Sequence, residues 1–99
     1  MRIDKFDLTI PVVSGTGSVD WSDDVSQWVI SAIAITPPTE LTTYNMLVKD
    51  EANNALVYET GMTGSVYTEV SVETNSVITI TIQSASTDGI YTARVYTKK

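Results

Sequence analysis

Asp20, Asp23 and Asp24 place three carboxylates within five residues, around Trp21 and Ser22. Clustered carboxylate oxygens are what a hard cation such as Ca²⁺ takes as ligands. The spacing matches no EF-hand loop, and the same residues serve as turn formers, bonding through Asp and Ser side chains to nearby backbone. An ion held there would steady a loop rather than catalyse a reaction. Other reactive sets are missing from the chain. It has no histidine and no cysteine, which removes Ser-His-Asp and Cys-His nucleophiles and the usual zinc sites. Gly15-Thr16-Gly17 lacks the third glycine and the following helix of a dinucleotide fingerprint, and no phosphate-binding loop occurs. Carboxylate-only chemistry, as in glycoside hydrolysis, needs a deep cleft, for which 99 residues supply little material. The expectation is a protein without a catalytic centre, a cofactor or a resident metal.

The aromatic residues are the next candidates. Trp28 opens an apolar segment and reads as a core residue. Trp21 sits among polar residues. It either docks onto another subunit, as interface aromatics do, or folds back as a lid over one end of the domain. An exposed Trp21 beside the carboxylates would also suit stacking on a sugar ring. Met62, between Gly61 and Gly64, is either an exposed apolar tip or a buried plug. The five tyrosines fall mostly within extended segments and read as half-buried.

The elements that position these residues are strands. Valine, isoleucine and threonine total 36 of 99 residues, and β-branched side chains favour extended backbone. Alternation gives a period of two. Phe6, Leu8, Ile10 and Val12 share one face of a first strand, and Pro11, lacking an N–H, puts that strand at an edge or ends it in a bulge. Residues 14–26 read as a long Gly/Ser/Asp loop. A second strand over about 27–35 carries apolar residues on both faces, as a central, doubly covered strand would, and Pro37-Pro38 ends it. Further strands follow over about 43–49, 55–60, 66–73, 77–83 and 90–97. Turns at 50–54, 61–64, 74–75 and 84–89 separate them. Val66, Val70 and Val72 point inward, as do Ile78, Ile80 and Ile82, with Thr79, Thr81 and Gln83 outward. The expectation is an all-β fold. It would be a single β-sandwich over residues 1–99, with about seven antiparallel strands, immunoglobulin-like or jelly-roll-like.

Length and charge bound the rest. No apolar run approaches the roughly 18 residues of a membrane span, and Met1–Lys5 carries mixed charge with no apolar stretch behind it, unlike an export signal. A thin core without disulfides favours support from neighbouring subunits. The net charge of −6 argues against binding a nucleic-acid backbone. From Phe6 to Ala93 the chain has eleven acidic residues and one base, Lys49. Arg2, Lys5, Arg94, Lys98 and Lys99 lie near the ends. Paired terminal strands would gather them into a basic patch on an acidic body, which is either simply solvated or gives head-to-tail or copy-to-copy complementarity that fixes orientation more than affinity.

Two resemblances add to this. Val77–Val95, with Asp88-Gly89-Ile90-Tyr91-Thr92-Ala93-Arg94-Val95 at its end, resembles the E-to-F passage of immunoglobulin-like sandwiches. Tyr91 matches the tyrosine corner, whose hydroxyl ties back to upstream backbone, and Asp88-Gly89 matches the turn before it. The chain stops after that strand, so the usual G strand is missing. The resemblance implies that the N-terminal strand fills its place or that an edge is left open. Over its whole length the chain is similar to small, Thr-rich, cysteine-free β-sandwich virion proteins of tailed bacteriophages. The likeness lies in Ile3–Ile10, the Gly/Ser loop and Asp88–Val95. It implies a non-enzymatic accessory protein of the virion, made in the host cytoplasm and decorating or cementing a capsid, or sitting in the neck or tail. Its partners would be the major capsid protein or another virion protein and copies of itself, with no nucleic acid and no membrane. Arg2, Lys5, Trp21, Met62, Arg94, Lys98 and Lys99 would form the assembly interface, while Trp28, Tyr91, Asp88 and Gly89 are structural. The alternative is a carbohydrate- or receptor-binding sandwich module.

Overall fold

A computed structural model describes residues 3–22, 29–73 and 77–98. Its eight strands are β1 (Ile3–Val12), β2 (Gly17–Trp21), β3 (Val29–Thr36), β4 (Thr43–Asp50), β5 (Ala55–Thr63), β6 (Val66–Glu73), β7 (Ile78–Gln83) and β8 (Gly89–Lys98). They form two four-stranded antiparallel sheets, ordered β1-β8-β3-β6 and β2-β7-β4-β5. Strands β1 to β4 alternate between the sheets, β4 and β5 pair within one, and β6 to β8 alternate again. That is the double Greek key of a jelly roll, so of the two expected sandwich types the strand order matches the jelly roll.

The period-two reading of the inward faces holds. Ile10 and Val12 of β1, Ile78, Ile80 and Ile82 of β7, and Tyr91, Ala93 and Val95 of β8 are buried, with Phe6 and Leu8 packed against them at partial exposure. Tyr44, Met46 and Val48 close the core from β4. β1 lies at a sheet edge, the first of the two placements open to Pro11. β8 is central, between β1 and β3, so the N-terminal strand covers the flank where a G strand was expected.

Three expectations need correction. The strand count is eight, because Gly17–Trp21 is a strand rather than part of a loop. Val19 and Trp21 do alternate with Ser18 and Asp20, but two inward residues are a weak signal beside so many turn formers. Gly17 is required there, since a Cβ would lie 2.1 Å from the Pro11 carbonyl oxygen. β3 is central, as read, but its large apolar residues do not divide between two faces: a bulge at Ser31 leaves Ile30, Ile33 and Ile35 inward and, beyond it, only Ala32 and Ala34 outward. The register slips between Ile30 and Ala32 against both neighbours, which turns Ile33 and Ile35 inward after Ile30. Finally, β5 runs on through Gly61 to Thr63. Gly61 has φ +66 and donates its N–H to Asn45 Oδ1 at 3.0 Å, and the kink brings Met62 opposite Tyr44. Trp28, expected in the core, and the turn at Thr74-Asn75 lie outside the described residues.

Candidate functional site

Antiparallel alternation brings four connections to one end of the sandwich: residues 13–16, 37–42, 64–65 and 84–88. They are bound to one another. Ser14 (φ +55) and Gly15 (φ +81) form the tip of the β1–β2 hairpin, closed by the Val13–Thr16 pair. Their two N–H groups donate to the two oxygens of Asp88, each at 2.9 Å. The Ala85 N–H donates to the Gly15 carbonyl at 3.0 Å. The Ser86 N–H donates to the Thr43 carbonyl, and the Thr43 N–H returns a bond to Ser86 Oγ, both at 2.9 Å. The Gly64 N–H donates to the Thr42 carbonyl at 2.9 Å, and Gly64 lies so close to the Glu40 carbonyl that a Cβ would meet it at 2.7 Å.

Two tyrosines stand beneath this lacing. Tyr44 and Tyr91 meet edge to face at 5.7 Å between ring centres. Tyr44 donates its hydroxyl to the Gly64 carbonyl and Tyr91 to the Thr87 carbonyl, each at 2.7 Å. Tyr91 therefore makes the tie to upstream backbone that the tyrosine-corner resemblance implied, and Asp88 and Gly89 (φ +141) form the turn before it. Burial, then the neighbouring Tyr91, pushes the Tyr44 hydroxyl up to about 12. Burial, then the Asp88 charge, raises that of Tyr91. Both stay protonated donors at neutral pH.

This rigid end presents apolar side chains to solvent. Leu41 is 87% exposed, Val13 70% and Ile90 55%. Pro11, in register with Ile90, and Pro38, packed at Gly89, are exposed beside them. These side chains offer contact area and no reactive group. Sequence reasoning missed these residues. The available signals were Val13, which falls on the outward phase of the Phe6–Val12 alternation, and Leu41, isolated among the turn formers after Pro37-Pro38.

The residues singled out from sequence scatter. Lys5, Arg94 and Lys98 lie exposed on one sheet face, because β1 pairs with β8. Arg94 is engaged there by Asp7, with Nε to Oδ1 at 2.7 Å and Nη2 to Oδ2 at 3.2 Å. The bonded guanidinium holds the Asp7 carboxyl below its ordinary 3.8, and Asp7 in turn raises Arg94. Arg2 and Lys99 lie outside the described residues. Trp21 is only 8% exposed and tilts against Phe6 at 5.3 Å between ring centres, so it is the lid and not an exposed anchor or a sugar platform. Met62 is the buried plug, at 6%. Trp21 and Met62 are thus absent from the surface on which an assembly contact was expected.

Of the carboxylate cluster, Asp23 and Asp24 lie outside the described residues, and Asp20 accepts a bond from Thr79 Oγ1 at 2.6 Å. Among the described residues no three potential ligands gather for a metal ion. A shallow cavity of about 630 Å³ lies on the outer face of the β2-β7-β4-β5 sheet, over Asp20, Leu47, Lys49, Thr79 and Thr81.

No family model matches the chain, and no curated protein matches it in sequence. Solved structures do match its fold. The pre-peptidase C-terminal domain of collagenase from Bacillus anthracis is 9% identical, with 96% of this chain aligned to 88% of that one at a TM-score of 0.58. The Drosophila NLP core, studied for pentamer formation and histone binding, is 18% identical, with 99% aligned to 98% at 0.56. A capsid chain of cyanophage Pam1 is 12% identical over 94% of this chain and 83% of that one, at 0.40. At these identities the first two establish a shared fold and nothing further. The capsid likeness, at its lower score, bears on neither fold nor function.

Proposed function

We propose that the chain is a non-enzymatic structural accessory protein of a phage virion, decorating or cementing a lattice through the laced loop end. One observation carries this reading. Four connections are locked by cross-loop hydrogen bonds from Ser14, Gly15, Thr43, Gly64, Ala85 and Ser86, and the locked loops hold Val13 and Leu41 out in water. Leaving aliphatic groups exposed gains nothing for an isolated chain, while ordering them beforehand lowers the entropy lost on docking. The resemblance of Ile3–Ile10, the Gly/Ser loop and Asp88–Val95 to small virion sandwich proteins supports a particle as the setting. The jelly roll agrees at the level of analogy only, since it hosts many functions. The occupant of the loop end is then an apolar face of the major capsid protein or another virion protein.

The test is co-sedimentation with purified particles. Wild-type chain should pellet with them at a fixed stoichiometry and raise their resistance to heat. Val13→Asp with Leu41→Asp should stay in the supernatant while keeping the wild-type dichroism spectrum. Equal pelleting of both, or recovery of the native chain only from host cytosol, would defeat the proposal. A glycan-binding role would appear instead as a sugar-dependent shift that survives the double substitution.

A further inference from the structure

The outer face of the β1-β8-β3-β6 sheet is charged in an unusual order. Register across the four strands sets its rows. Lys5 of β1 pairs with Tyr96 of β8, Tyr96 with Ala32 of β3, and Ala32 with Glu69 of β6. One row toward the chain ends, Lys98 pairs with Val29 and Val29 with Glu73. One row the other way, Asp7 pairs with Arg94, Arg94 with Ala34, and Ala34 with Tyr67. Among the described residues the outer face of the β1–β8 half carries Lys5, Lys98 and Arg94 against Asp7, a net +2, and that of the β3–β6 half carries Glu69 and Glu73, a net −2. Lys5, Lys98, Glu69 and Glu73 are all exposed, and no ion pair among the described residues holds either lysine.

Between the halves the face is low and aromatic. Only the methyl groups of Ala32 and Ala34 stand on this part of β3, so Tyr67 and Tyr96 reach across it and meet at 5.6 Å between ring centres. Tyr67 is 58% exposed. Tyrosine and arginine on a flat surface are the residue types that anchor protein interfaces.

A face whose halves have equal and opposite charge is complementary to itself under one operation: a two-fold axis lying in the face, parallel to the strands. We propose that this face docks a second copy of the chain about such an axis, between β8 and β3. The axis sets β1 against the partner's β6 and keeps the rows level. Lys5 then faces the partner's Glu69, Lys98 approaches the partner's Glu73, and the Tyr67–Tyr96 pairs pack near the centre. The contact is isologous, so each charge pair occurs twice. A two-fold perpendicular to the strands would instead set like charges together, which specifies the orientation. Four strands at about 4.8 Å and about eight residues at about 3.4 Å give roughly 500 Å² per face. That is at the low end of specific interfaces, so the dimer is weak, in the micromolar range or above, and forms where copies are concentrated. The inference does not rest on the particle role, because this face and the laced loop end are separate surfaces.

Sedimentation velocity over a range of about 1 µM to about 1 mM tests it. Wild-type chain should pass from monomer to dimer, with weaker association at high salt. Glu69→Lys with Glu73→Lys makes the face wholly basic, and Lys5→Glu with Lys98→Glu makes it acidic. Each variant should raise the dissociation constant about tenfold or more, and mixing the two should restore a dimer. A second measurement is independent of affinity. The chain has no cysteine, and positions 5 and 69 of one copy lie three strand spacings, roughly 14 Å, apart, too far for an internal disulfide. Facing sheets lie about 10 Å apart, also beyond a direct disulfide, so Lys5→Cys with Glu69→Cys should be joined into covalent dimers by a short bifunctional thiol reagent that spans that gap and not the roughly 14 Å within one copy. A wild type that stays monomeric throughout, a dimer indifferent to both charge reversals, or a double-cysteine chain that gives no covalent dimer would overturn the proposal. Val13→Asp with Leu41→Asp should leave the dimer intact, so failure here and failure of the particle reading are distinguishable.

Discussion

Replacing Asp88 with alanine removes both acceptors that hold the β1–β2 hairpin against the β7–β8 loop. Each carboxylate oxygen takes one backbone N–H at 2.9 Å, from Ser14 and Gly15. Bonds to a charged acceptor contribute about 1.5–3 kcal/mol each when shielded. This site is exposed, so water replaces part of the loss. Helix N-caps, where a side-chain carboxylate meets free N–H groups in the same way, lose about 0.5–2 kcal/mol on truncation to alanine. We expect a loss of about 1–2 kcal/mol, which in a domain of this size lowers Tm by about 5–15 °C. Asp88→Asn keeps one good acceptor and should lose roughly half as much. Thermal unfolding followed by dichroism gives the magnitude, and amide exchange gives the location. Exchange should accelerate at Ser14 and Gly15 and hold steady at Ile80 and Ile82 in the core of β7. A Tm within about 1 °C of wild type, with unchanged exchange at the hairpin tip, would refute the claim that Asp88 orders this end.

Further expectations follow from the same geometry. Trp21→Ala should cost about 3–5 kcal/mol, read by chemical denaturation, because it removes the indole that covers Phe6. Tyr44→Phe should cost about 1–2 kcal/mol, since it strands the Gly64 carbonyl. The folded-state value for Tyr44 lies above the ordinary 10, so its contribution is intact below pH 10 and is lost as pH rises toward about 12. Tyrosinate absorbance in the native chain should develop late, and Tyr44→Phe should flatten that alkaline limb. Asp7 has the opposite sign: its folded value is lowered by Arg94, so its contribution is present above the ordinary 3.8 and fades as pH falls below that value. Asp7→Asn should remove this acid dependence in urea titrations taken at successive pH values.

The strands were legible in sequence wherever alternation ran for several residues. Ile78, Ile80 and Ile82, or Phe6 to Val12, have one inward phase and no competing reading. The corner at Asp88-Gly89-Tyr91 was legible because its residue types are demanded locally: a glycine for φ +141 and a hydroxyl able to reach four residues back. β2 was hidden because its inward set is short. The slip at Ser31 was hidden because a bulge is seen only against a partner strand. The assignment of Trp21 and Met62 turned on tertiary placement, which single-residue types do not carry: the same indole suits a lid or an anchor until Phe6 is found beneath it. The loop end depended on long-range pairing, and its ordering bonds join residues up to 74 positions apart. The terminal bases did meet on one face, but Arg94 is engaged by Asp7, and the complementary Glu69 and Glu73 come from a strand whose place beside β3 no local pattern announced.

The proposed role makes the ordered loop end the contact surface with a larger particle. Cross-linking mass spectrometry on particles purified with the chain bound tests it most directly. Reactive groups introduced beside Val13 and Leu41 should cross-link to a virion protein, and groups introduced beside Ala55 at the opposite end should not. Cross-links confined to the opposite end, or particles that carry none of the chain, would contradict it.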